Sequence, residues 1–197
     1  MKWLGITGLT TLGMGFDHFS TFAAQPMLKR PIPSSKELLP VVGLGSWIQF
    51  DVSAANAERE PLRQVLQQMQ QKGGKVIDSS PMYGRSEQVI GELTTEVGLA
   101  DQFFYATKVW TSGRQAGIDQ MENSMRKMRR QQMDLMQIHN LVDWQTHLKT
   151  LQAWKTEGKI RYIGLTHYTD SAHAQLEQII KSESIDFVQF NYSIRDR

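Results

Sequence analysis

The sequence predicts a parallel α/β fold, an incomplete (β/α)8 barrel of the TIM type with about six of its eight βα units present. Two observations predict it. Past residue 26, short β-branched or aromatic runs alternate with amphipathic stretches and turn residues separate them, the pattern of strands joined by helical crossovers. Polar residues then fall at or just past the C-terminal end of one strand after another: Asp78, Lys108, His139, Thr166 and Gln189. In a doubly wound sheet ligand groups gather where the strand order reverses. In a barrel every strand end faces one mouth, so consecutive polar ends favour the barrel.

The elements follow in order. Leu39 to Leu44 reads as the first strong run, and a helix is expected from about Pro61, with proline in its first turn, Leu62, Val65, Leu66 and Met69 as its apolar stripe, and Gly73-Gly74 as its stop. Lys75 to Asp78 is the second strand, followed by a helix from about Ser86 that buries Val89, Ile90, Leu93 and Val97. Phe103 to Lys108 is the third. The helix after it carries Ile118, Met121, Met125 and Met128 on one face, and methionines at that spacing are core filler. Met133 to Ile138 is the fourth strand. Leu148, Leu151 and Trp154 mark a helix closed by Gly158, Ile160 to Leu165 is the fifth strand, Leu176, Ile179 and Ile180 form the next stripe, and Asp186 to Gln189 opens a sixth strand.

Composition narrows the class. The 197 residues are 40% hydrophobic, enough for one sizeable core. A net charge of +2 dispersed along the chain gives no field that implies nucleic acid as a partner. The densest basic cluster, Arg126 to Arg130, closes a helix, where cations complement the terminal carbonyls. With no cysteine there are no disulfides, thiolate metal sites or cysteine nucleophile, and the compartment stays open. Residues 1–26 read as a signal-like or disordered extension: Lys2, a mostly uncharged stretch from Trp3 to Phe16, and small residues around Ala23-Ala24 where a signal peptidase could cut. The stretch is too short to span a membrane, so the expectation is export if it is cleaved and a cytoplasmic protein otherwise. Residues 27–197 form the barrel domain.

Gly43-Leu44-Gly45-Ser46-Trp47-Ile48 begins like a dinucleotide fingerprint, but Ile48 holds the third glycine position and no helix follows directly, so it fails as one. The chemistry lies in the strand ends. Reducing a carbonyl by hydride transfer builds negative charge on its oxygen, which calls for a proton donor and an orienting polar group. Tyr83 is the candidate donor, and a neighbouring Lys108 ammonium is expected to favour its phenolate and bring the proton closer to transfer. Asp78 supplies the counter-charge that a partly buried lysine needs, and His139 can donate to the carbonyl oxygen. Taken singly, the aspartate reads as a turn cap, the tyrosine as packing, the lysine as a snorkelling cation and the histidine as a hydrogen-bonded core residue. Jointly they deliver complementary groups to one mouth.

Val76-Ile77-Asp78-Ser79-Ser80-Pro81-Met82-Tyr83-Gly84 resembles the aldo-keto reductase signature, in which a strand-end aspartate precedes the catalytic tyrosine by five residues. Ala106-Thr107-Lys108 is similar to the family's lysine segment and Asp134 to His139 to its histidine strand, with further matches at Val42 to Trp47, Ile163 to Tyr168 and Phe187 to Ser193. The resemblance runs from about Met27 to Arg197 and fills all four catalytic positions: Asp78, Tyr83, Lys108 and His139. It implies a monomeric barrel that binds NADP(H) extended across the strand ends and reduces a small aldehyde or ketone. Cofactor contacts are implied at Gly45, Ser46, Trp47, Asp78, Thr166, His167 and Gln189. An N-terminal β-hairpin from Leu28 to Leu39, turning at Pro33-Ser34-Ser35, is implied across the barrel's bottom.

Two departures from the family stand out. Thr166-His167 replaces the usual Ser-Asn, exchanging an amide for an imidazole. A complete barrel takes about 250 residues, and the sequence stops after the sixth strand, short of the family's nicotinamide-stacking aromatic ring and its 2′-phosphate loop. The chain alone is therefore expected to be poorly active and, with unpaired edge strands, prone to self-association. Two other readings remain: a catalytically idle barrel remnant that binds a partner, and a metal-dependent hydrolase using Asp78, His139 and His167, against which the adjacent Lys108 ammonium argues.

Overall fold

The computed structural model describes residues 26–194, so the expected signal-like extension lies almost wholly outside the described residues. The chain opens with an antiparallel hairpin of β1 (Lys29–Pro31) and β2 (Leu38–Pro40), turning through Pro33, Ser34 and Ser35. Then come β3 (Gly43–Gly45), α1 (Asn56–Gln71), β4 (Val76–Asp78), α2 (Ser86–Glu96), β5 (Phe104–Val109), α3 (Arg114–Lys127), β6 (Met133–His139), α4 (Trp144–Thr156), β7 (Ile160–His167), α5 (His173–Ser182) and β8 (Phe187–Phe190). Strands β3 to β8 form one six-stranded sheet in sequence order, each pair parallel. The sheet curls into a half-barrel, the partial TIM barrel that the alternating periodicity predicts.

Alternation along each strand separates two cores. Ile77, Tyr105, Val109, Met136, Ile138, Ile163 and Leu165 point outward and pack with Leu93, Met121, Leu151 and Leu176 from the helices. Phe104, Ala106, Leu135 and Tyr162 point inward and pack with Ile32 and Leu39 of the hairpin and with Phe187. The hairpin therefore plugs the N-terminal end of the strands. Polar contacts fasten it there: Arg161 bridges Asp134 and Glu37, the Tyr162 hydroxyl bonds Ser35 and Glu37, and Ser34 donates to Asp186 at 2.6 Å.

Two boundaries differ from the sequence reading. The run Leu39 to Leu44 splits at a bend at Val41, because Leu39 belongs to the hairpin while Gly43 begins the parallel pairing with Val76. Helix α1 starts at Asn56, with Pro61 inside it. The Glu58 carboxylate accepts from the Ser53 N–H and hydroxyl, both at 2.6 Å, and this anchors an early first turn at the cost of the one backbone bond that Pro61 cannot donate.

Candidate active site

The inward positions change character along the strands. Near the hairpin they are aromatic, at Phe104, Tyr162 and Phe187; two residues further on they are small or apolar, at Ala106, Leu135 and Gly164; two further still they are Lys108, Gln137 and Thr166. Asp78 enters this upper layer as the last residue of β4 and His139 as the last of β6.

Lys108 is 1% exposed. Its Nζ donates to Asp78 Oδ2 at 2.6 Å and to the Ser79 carbonyl at 2.7 Å. The other Asp78 oxygen accepts from Gln137 Nε2 at 2.9 Å, so both carboxylate oxygens are engaged inside the protein. This disfavours Asp78 as a metal ligand, and among the described residues no group of three or more His, Asp or Glu is arranged to hold a metal.

Tyr83 leans over this pair with its ring centre 5.2 Å from Lys108 Nζ. The His139 ring meets it edge-on at 6.2 Å, and Trp47 lies tilted at 6.4 Å on its other side. The turn that presents Tyr83 is locked below it. Gly84 has φ 57°, and a side chain there would run within 2.3 Å of the Asp51 carboxylate, which accepts the Arg85 N–H. The expected lowering of the Tyr83 pKa does not occur: burial pushes the phenol above its ordinary range and the Asp78 carboxylate adds to the rise. Lys108 spends its strong contacts on Asp78 and Ser79. His139 moves the other way, down to about 4, chiefly through burial and then through the Lys108 charge, so its imidazole is neutral at pH 7.

Asp78 aside, both of whose oxygens are taken up by Lys108 and Gln137, the residues expected to contact a cofactor divide into three kinds. Gly45 ends β3 beside open space, and Trp47 is 65% exposed. Ser46 is fully buried, donating its hydroxyl to Ser79 and its N–H to the Asp78 carbonyl, so it braces the loop behind the rim. Thr166 and Gln189 are register partners at the ends of β7 and β8. His167, on β7 beside them, stacks on Tyr168 and accepts through Nδ1 from the Thr169 N–H. The side chains of Thr166 and Gln189 have no hydrogen-bond partner among the described residues, and the buried Asn140 Oδ1 beyond β6 has none either. A hydroxyl, an amide and an orphan acceptor on one rim suit a ligand that carries its own donors and acceptors, as the nicotinamide carboxamide of NADP(H) does.

Sequence reasoning passed over Gln137, Ser80 and Trp110. Gln137 had a signal, since it shares inward parity with His139 and its register partner is Lys108. Ser80 and Trp110, whose ring lies 6.5 Å from that of His139, had none, because loop side chains follow no period.

The aldo/keto reductase family pattern matches residues 41–197. The methylglyoxal reductase YeaE of Escherichia coli is 30% identical over 148 residues, covering 72% of this chain and 50% of that protein. The aldo-keto reductase YhdN of Bacillus subtilis is 26% identical over 143 residues, covering 65% and 43%. The chain thus spans about half the length of the relatives it matches by sequence. Among solved structures, a putative aldo-keto reductase from Pseudomonas aeruginosa superposes with a TM-score of 0.74 at 21% identity, over 91% of this chain and 73% of that one.

Proposed function

The chain belongs to the aldo/keto reductase family, and from that premise we propose that it reduces an aldehyde or ketone with NADP(H) at the mouth lined by Asp78, Tyr83, Lys108 and His139. Support comes from one observation above all: a buried ammonium held 2.6 Å from Asp78 and 5.2 Å from the Tyr83 ring centre. When bound, the reduced nicotinamide supplies the hydride. Thr166 and Gln189 would hold its carboxamide, Asn140 would offer a further acceptor, and Trp47 would flank the substrate. The carbonyl oxygen is received by the Tyr83 hydroxyl and the neutral His139 ring. A phenol whose pKa is raised keeps its proton in the resting site and yields it only as charge develops on that oxygen. The Lys108 ammonium then stabilises the phenolate left behind, while Asp78 and Ser79 keep the ammonium in place. Similarity to a methylglyoxal reductase supports a small carbonyl compound as the substrate class.

Fluorescence titration of the full chain with NADPH tests the reading. Micromolar binding is expected, with Tyr83→Phe binding equally well and turning over about a hundredfold more slowly. No binding at millimolar NADPH overturns it.

A further inference from the structure

Ser80 takes no part in the mechanism above, yet it is one of the most constrained residues at the mouth. It is 1% exposed, and its Oγ lies 3.1 Å from His139 Nδ1. Ser80 lies in the loop after β4 and His139 ends β6, with β5 between the two strands, and that loop reaches over the end of β5 to bring them together. Its path is pinned on both sides of Ser80. The Ser79 N–H donates to the Ala106 carbonyl at 2.9 Å, the Ser79 carbonyl accepts from Lys108, and the Tyr83 N–H donates to the Ser80 carbonyl at 3.0 Å.

A serine hydroxyl has one proton, and a buried one needs an acceptor. His139 Nδ1 is the acceptor that Ser80 Oγ meets among the described residues. If Nδ1 carried a proton it would donate to Ser80 instead, and the serine proton would be left buried without a partner. The groups facing the ring are Asp78 from β4, Tyr83 and Trp110 from loops, Lys108 from β5 and His167 from β7. Burial first and the Lys108 charge second keep the ring neutral against the pull of the Asp78 carboxylate, so one nitrogen carries the proton and the other a lone pair. Nε2 has no partner among the described residues.

We propose that Ser80 is a positioning residue: by donating to Nδ1 it fixes His139 as the Nε2–H tautomer, so that the free nitrogen meets a carbonyl oxygen as a donor and never as a lone pair. The catalytic meaning rests on the carbonyl-reduction reading; the tautomer does not. An orphaned buried hydroxyl is costly enough to bias the ring on the order of tenfold or more toward Nε2–H.

The test is long-range proton–nitrogen NMR of the full-length 15N-labelled chain near pH 7, with His139 assigned among the five histidines by comparison with His139→Gln. The parent protein is expected to show a pyridine-like Nδ1 and a protonated Nε2. Ser80→Ala is expected to give mixed tautomers with an unchanged NADPH affinity, and Ser80→Thr, which keeps the hydroxyl, to restore the parent spectrum. If the chain turns over a carbonyl substrate, Ser80→Ala lowers kcat roughly tenfold and Ser80→Thr recovers it. A protonated Nδ1 in the parent overturns the proposal without any variant, and so does a folded Ser80→Ala protein with the parent tautomer. Failure to bind NADPH together with the expected spectra sinks the reductase reading alone.

Discussion

Asp78 and Lys108 form the polar centre of the half-barrel, and breaking the pair from one side should cost more than removing it. In Asp78→Asn the ammonium, 1% exposed, loses its counter-charge and keeps one neutral partner, the Ser79 carbonyl. The amide does not substitute cleanly. If its oxygen turns to Lys108, its NH2 faces the Gln137 NH2 that now donates to Asp78 Oδ1, and Gln137 must flip. Removing one partner of a buried pair costs about 3–5 kcal/mol. The Asp78 side chain is 20% exposed, so water takes up part of the loss and the lower end applies. At about 2–4 °C per kcal/mol for a domain of this size, Tm falls by about 6–12 °C. Lys108→Met leaves a partly wetted carboxylate still bonded to Gln137 and costs roughly 2 kcal/mol. The double variant removes both charges and should cost clearly less than the two singles together, with a coupling of about 2–3 kcal/mol. Urea unfolding of all four proteins at pH 7 measures the cycle. Additivity within about 0.5 kcal/mol would mean that the pair is not coupled and that the geometric reading of the site is wrong.

Two further outcomes follow from packing and burial. In Gly91→Ala the new methyl would sit 2.3 Å from the Lys127 carbonyl and 2.8 Å from Met128 backbone atoms; since backbone cannot swing aside, α2 and α3 must part, and thermal melting should show a loss of about 3 kcal/mol or insoluble protein, whereas a parental Tm contradicts the close approach. Glu87, 1% exposed, has its pKa raised by burial, which outweighs the hydrogen bond from Thr107 and the charges of Lys127 and Lys108, so the folded state holds its proton more tightly than the unfolded state, which releases it above about 4.5. Its contribution is full below that pH and is lost as pH rises through the raised folded value. Glu87→Gln should abolish this decline, and urea midpoints from pH 4 to 8 should show the variant gaining on the parent as pH rises; a constant gap refutes the shift.

The legible parts of the sequence were those governed by a period. Asp78 and His139 end β4 and β6, Lys108 lies one residue before the end of β5 between them, and β5, β6 and β7 begin and end within two residues of their expected positions, because buried parallel strands leave long apolar runs. Pairing register then brings the groups to one rim with no further information. What stayed hidden depended on depth or on loop path. The direction of the Tyr83 shift could not be read, since it is the balance between a nearby ammonium and the loss of water, and only the packed site fixes the second. Ser80 reaches His139 across an intervening strand, a contact between residues 59 apart.

Gln137 shows how the site and the fold constrain each other. It stands on β6 one inward step below His139, 2% exposed, and its amide nitrogen is satisfied because it reaches Asp78. That reach needs room on the neighbouring strand. Its register partner on β7 is Gly164, where a methyl would come within 2.7 Å of Gln137 Cγ and 3.2 Å of Leu135 Cδ1. A larger residue there would push Gln137 off the carboxylate, free Asp78 to rotate, and loosen the ammonium beneath Tyr83. The missing side chain at Gly164 therefore belongs to the electrostatics of the mouth as much as to the packing of the sheet, and the polar layer can be buried at modest cost because the layer under it was left small.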